Sequence, residues 1–130
     1  MSAARILFIF LGSFSAVATL LSDFNRLHIF NPNWPPHARF HAAAYAILNI
    51  LGSLLAAFLA LKEPFGNASL YFAASLLFLS VFTFFLALAV PGTSPVASSA
   101  ERHMWNIPVS VCMAGVFALL VALGSWGLTR

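Results

Sequence analysis

Charge is scarce in this sequence. Its 130 residues include six basic and three acidic side chains, or 7% charged, where a soluble domain carries about a quarter. Arg5, Arg26, Arg39, Lys62, Arg102 and Arg130 form no basic block, which excludes a nucleic-acid-binding surface as the chain's business. Cys112 is the single cysteine, so an internal disulfide or a cysteine-based zinc cage is excluded.

Apolar residues fill the space that charge leaves. They make up 62% of the chain, too many and too continuous for a soluble core of this length. Crossing a hydrocarbon layer of roughly 30 Å takes about 20 mostly apolar residues. Four stretches meet that need, at about 6–21, 36–61, 69–90 and 107–128. The expected fold is an all-α integral membrane four-helix bundle, running up and down as a single domain over 1–130. Arg5 and Ala16-Val17-Ala18 give the first span the look of a signal peptide, but the three later spans favour its retention as the first helix. Gly12 and Ala16 have the spacing of a close helix contact. Lys62-Glu63-Pro64-Phe65-Gly66-Asn67 reads as a tight polar turn, and its Asn67-Ala68-Ser69 sequon lies too near the membrane to be a good glycan acceptor. The third span is rich in phenylalanine, read as packing and lipid-facing bulk. Ser98 and Glu101 have capping-box spacing. From there a helix either continues into the last span with a kink at Pro108, or Pro108 opens a separate helix. Basic residues divide equally between the two sides, so the positive-inside rule assigns no orientation. Trp34 and Trp105 at one boundary and Trp126 at the other match interfacial belts.

The polar residues concentrate in one connection, DFNRLHIFNPNWPPHARFHAAAY, from Asp23 to Tyr45. Residues that precede proline leave the α region, and proline itself suits the first position of a helix. Pro36 is therefore expected to start the second span. With four spans, the first and third connections emerge on one side. That gathers Asp23, Arg26, His28, His37, Arg39, Glu101, Arg102 and His103 at one mouth, with His41 just inside. His37, His41, Tyr45, Asn49 and Ser53 recur every four residues, each step advancing about 40° round a helix. His37, His41 and Tyr45 thus share one face, while Asn49 and Ser53 drift round toward a neighbouring helix. Polar side chains within a span face protein or water. The stripe is therefore expected to face the bundle interior and lead down from the mouth, with Arg39 on roughly the opposite face from His37, either snorkelling to headgroups or taking part in catalysis. His37, His41 and Tyr45 are expected to line a cavity open at the mouth. Their partners are expected from Asp23, Asn25, His28, Glu101, His103 or Asn106, since the third span offers mostly phenylalanine. Asn25, Asn31, Trp34, Arg39, Asn49, His103 and Asn106 are the candidate ligand-binding residues.

Two chemistries fit. Histidines four apart on a helix can share a divalent metal, with His28 or His103 as a third ligand. Alternatively, histidine is the side chain that exchanges protons near neutral pH. His37 would accept a proton, His41 with Tyr45 would donate one, and Asp23 or Glu101 would orient a ring. The plainer alternative is that Asn31, Asn33 and the prolines simply fold an interfacial turn.

The same residues carry a resemblance. Asp23, Asn25, His28, Asn31, Pro32, Trp34, Pro35, Pro36, His37, Ala38, Arg39, Phe40 and His41 match the pattern D-x-N-x-x-H-x-x-N-P-x-W-P-P-H-A-R-F-H. The chain thereby resembles a family of small four-helix membrane proteins of unknown function, found in fungi and bacteria. Members often continue with Asn-Gly-Gln, where this chain has Ala42-Ala43-Ala44. The resemblance implies a fold and a site but no reaction. The chain is more loosely similar to the sterol-isomerase and sigma-2-receptor group, bundles with a lipophilic cavity that use interior carboxylates; here no acid lies inside a span. Small anthrone-oxidising membrane proteins are similar in size and span count.

The functional expectation is a small membrane enzyme acting on a lipophilic substrate by histidine-centred acid–base or metal-assisted chemistry. The alternative is a non-catalytic subunit that binds a lipid, a ligand or a cofactor, with histidine-ligated haem or chlorophyll as a third option. Membrane lipids and a lipophilic small molecule are the expected partners, in an oligomer or larger membrane complex.

Overall fold

The structure, a computed structural model, describes residues 1–96, 103–104 and 106–129, without the side chain of His103. It contains four helices: α1 (Ala3–Asp23), α2 (Pro36–Lys62), α3 (Ala68–Leu88) and α4 (Val109–Gly127). A two-residue antiparallel pair, β1 (His103–Met104) and β2 (Ile107–Pro108), precedes α4. Each helix is long and apolar enough to cross a membrane. The fold is all-α, a four-helix bundle with a folded connection between α1 and α2. Its length and apolar surface are consistent with a multi-pass membrane protein.

The helix ends follow local chemistry. α1 starts at Ala3, before Ile6, because the Ser2 hydroxyl caps it, accepting from the Arg5 amide at 3.3 Å. Pro36 is the first residue of α2 and Pro35 its N-cap, as the proline rules require. α4 begins after Pro108, which sits at the N-cap with an extended ψ of 136°. Pro108 therefore opens a separate helix, and the expected start of the last span at 107 moves into β2. The Ser98–Glu101 capping box lies outside the described residues.

Hydrogen bonds fix the register of neighbouring helices. Ser15 meets Ser53 and Thr19 meets Asn49, so α1 and α2 run antiparallel. Tyr45 meets Thr83 and Ser80 meets Asn49, so α2 and α3 do the same. Tyr71 donates to the Leu128 carbonyl, tying the start of α3 to the end of α4. The α1–α2 and α3–α4 connections thus emerge at one end, and the 63–67 turn at the other.

The core consists of large side chains set into small ones. Phe8, Leu11, Leu77 and Val121 are fully buried, among Ala56, Ala60 and Ala73. Phe8 fits where α4 has Gly124, since a Cβ there would lie 2.6 Å from the Phe8 ring. At the turn end, the Arg5 Nε donates to the Ala60 carbonyl at 2.9 Å, the guanidinium also reaches Leu61 O, and Nε lies 3.4 Å from a Glu63 carboxylate oxygen. A cation there meets the negative end of the α2 dipole.

Candidate functional site

The folded connection is built by its asparagines. Asn25 donates from Nδ2 to the Leu21 carbonyl at 3.3 Å and to Ser22 O, while its Oδ1 accepts from the Leu27 amide at 2.8 Å and contacts His28 Nδ1 at 3.2 Å. Asn31 donates to the Leu27 carbonyl at 3.3 Å and accepts from the Asn33 amide at 3.0 Å, a side-chain turn that leads into Pro35. Trp34 presents an edge-to-face contact to His28, with ring centroids 6.2 Å apart. Ile29 is buried beneath the turn. Asp23 is partly buried at the end of α1, accepts from the Ser22 hydroxyl at 3.3 Å, and takes the Ile29 amide on its backbone carbonyl at 3.1 Å. The side chains of Asn25 and Asn31 thus shape the chain through bonds to its backbone.

The polar stripe of α2 is placed differently from the expectation. Ser53 is 3% exposed and donates to Ser15 Oγ at 2.9 Å. Sixteen residues separate it from His37, which is about 160° round the helix beyond whole turns. A stripe that ends in the core must therefore begin outside. His37 and His41 are exposed. Their partners are each other: the two Nε2 atoms lie 3.0 Å apart, with ring planes at 89°. Phe40 stands against His41 at 5.5 Å. Arg39 stands on the same line of α2 as Ala46, Ser53 and Ala60, all buried, at intervals of seven residues. It is partly buried, and its Nε has neither solvent nor a hydrogen-bond partner. The expected arrangement of histidines inside and arginine outside is reversed.

The partners of the inner stripe come from α1 and α3. Asn49 donates from Nδ2 to Thr19 Oγ1 at 2.6 Å and accepts on Oδ1 from the Ser80 hydroxyl. Thr83 donates to the Ser80 carbonyl at 2.9 Å. Its proton is thereby used, so the Tyr45 hydroxyl, 3.3 Å away, is the donor to Thr83 Oγ1. Tyr45 itself remains 48% exposed. The expectation that partners would come from the mouth is corrected: α3 supplies hydroxyls between its phenylalanines. The signal was present as Ser15 with Thr19, and Ser80 with Thr83, each pair at helical spacing.

These residues line one side of a groove between α2 and α3. Its upper part, about 170 Å³, is bounded by Tyr45, Asn49, Ser53, Ser80 and Thr83 with Leu76 and Leu79. Its lower part, about 420 Å³, shares Leu76 and Leu79 and adds Leu55, Leu59, Phe65 and Phe72. Neither part touches His37 or His41, so of the three residues expected to line a cavity only Tyr45 lines this one.

At the other connection, Asn106 is exposed and adopts a left-handed φ of 63° in the turn between β1 and β2. Glu101, Arg102 and Trp105 lie outside the described residues, as does the side chain of His103. Among the described residues no three histidine, cysteine or carboxylate side chains gather as metal ligands; His28 belongs to Asn25 and Trp34, away from the His37–His41 contact.

Residues 11–128 match a family of unknown function (DUF6640). The chain belongs to that family. No curated protein and no solved structure matches it.

Proposed function

We propose that this protein binds a lipophilic amphiphile in the membrane, seated along the groove between α2 and α3. The observation that carries the reading is an apolar groove edged by one available hydroxyl. Leu76 and Leu79 run along both parts, and Leu55, Leu59, Phe65 and Phe72 wall the lower one. Asn49, Ser53, Ser80 and Thr83 are engaged in bonds between and within the helices, while Tyr45, half exposed, stands at the upper edge. A largely apolar ligand with a single hydrogen-bonding head fits this groove. The Tyr45 oxygen, which already gives its proton to Thr83, remains free to accept a bond from that head.

Gly52 supplies the test. It lines the groove, and a Cβ added there meets nothing within 4 Å. Gly52→Leu should keep the fold and fill the groove. Native mass spectrometry of the parent, purified in mild detergent, should find a retained lipophile that Gly52→Leu lacks. Equal retention by both proteins refutes the groove.

A second reading, an enzyme with histidine-centred acid–base chemistry, is favoured by one contact. The Nε2 atoms of His37 and His41 lie at hydrogen-bond distance, 3.0 Å, one helical turn from Tyr45. Conversion of the retained lipophile by the parent and not by His37→Ala would establish it.

A further inference from the structure

We propose that His37 and His41 form a two-imidazole chelating site for a divalent transition-metal ion, independent of the groove. The two Nε2 atoms lie 3.0 Å apart on successive turns of α2. Two nitrogens each about 2.0–2.1 Å from one ion stand roughly 3 Å apart when they subtend a right angle, so the pair already has the bite of a chelate. Pro36 at the first position fixes the start of the helix that carries both rings. Both rings are exposed, so an ion reaches them without rearrangement of the bundle. A neutral imidazole can carry its proton on Nδ1, which leaves both Nε2 lone pairs for the ion. Imidazole suits zinc, nickel and copper over magnesium or calcium. With both rings exposed, the remaining coordination positions are open to solvent, so the site holds an exchangeable ion.

The test uses the full-length protein, free of any histidine tag and stripped with chelator, in detergent micelles. Calorimetric titration with Ni²⁺ or Zn²⁺ alone should show one ion per chain. Copper(II) electron paramagnetic resonance should show two equatorial imidazole nitrogens. His37→Ala and His41→Ala should each lose the ion and the two-nitrogen signature, with helical circular dichroism unchanged. His28→Ala, whose ring lies with Asn25 and Trp34, should keep both. Parent binding no tighter than that of the His37→Ala, His41→Ala double variant would overturn the proposal and leave a hydrogen-bonded pair only. Loss of the ion in His28→Ala would equally overturn it, by moving the ligands into the folded connection.

Discussion

Gly12 and Ser53 hold α1 and α2 at backbone distance. A Cβ on Gly12 would lie 2.6 Å from the Ser53 carbonyl oxygen and 2.9 Å from the Ala57 amide nitrogen. Both are main-chain atoms of α2 and cannot swing aside as a side chain would. Contacts this close let interhelical hydrogen bonds form further along the pair, from Ser53 to Ser15 and from Asn49 to Thr19. Gly12→Val should therefore force the helices apart and cost about 1–3 kcal/mol, read as a lower denaturant midpoint in detergent. Gly115→Val, at a site open within 4 Å, should leave the midpoint near that of the parent.

Asn49 links three helices with one side chain. Its amide nitrogen serves Thr19 on α1 and its oxygen serves Ser80 on α3. Asn49→Leu keeps the volume and removes both bonds. Hydrogen bonds between membrane helices contribute about 0.6 kcal/mol each on average and at most about 1.7, so the expected loss is about 1–2 kcal/mol in the same unfolding assay. A Leu at 49 that stabilises the protein would show that the inner stripe serves a ligand at the expense of the fold.

Much of this architecture was legible in the sequence, and the part that was not has a physical reason. The start of α2 follows from the Pro35-Pro36 pair, because proline restricts both itself and its predecessor. Gly12 and Ala16 mark the contact of α1 because only small residues allow it. The inward face of α2 was misread. A four-residue repeat from His37 to Ser53 turns through nearly half the helix circumference, and the expectation put its His37 end inside, whereas its Ser53 end is the buried one. Which end points inward depends on Gly12 fitting against Ser53 and Ala57, a contact between distant residues. The seven-residue line Arg39, Ala46, Ser53, Ala60 held that information, since small residues in a span mark the face that meets another helix. Phenylalanine dominated the reading of α3 and hid Ser80 and Thr83, the two residues that satisfy the α2 stripe. In the connection, the Asn25 and Asn31 side chains bond to the backbone and turn it, a local role that asparagine takes wherever backbone donors and acceptors lie in reach.

The alternation of helices gives a prediction about sidedness. Asn33, Ser94 and Glu63 stand in the three connections, Asn33 and Ser94 exposed. In a Cys112→Ala background, cysteines at 33 and 94 should label from one side of sealed vesicles with a membrane-impermeant maleimide. A cysteine at 63 should label from the other side alone. Labelling of 33 and 63 from one side would mean that α2 does not cross the bilayer.

Arg39 gives the sharpest contrast between folding and function. It stands on the inward line of α2, beyond the point where α1 ends, level with the folded connection. Its Nε is buried without a partner. Of the chain's three acids, Glu63 pairs with Arg5 and Asp23 takes the Ser22 hydroxyl, and no ion pair to Arg39 forms among the described residues. A buried donor left unsatisfied costs about 1–3 kcal/mol. Methionine keeps most of the apolar stem and lacks the donor. Arg39→Met should therefore be at least as stable as the parent in a neutral detergent, and more stable by up to about that amount. Arg39→Glu, equally unpartnered and of the opposite sign, should show no such gain. If Arg39→Met is instead clearly less stable in neutral detergent, the guanidinium is held by contacts of its own and its orphaned donor is not a strain on the fold. The measurement is the unfolding midpoint of the three proteins in one detergent at one ionic strength.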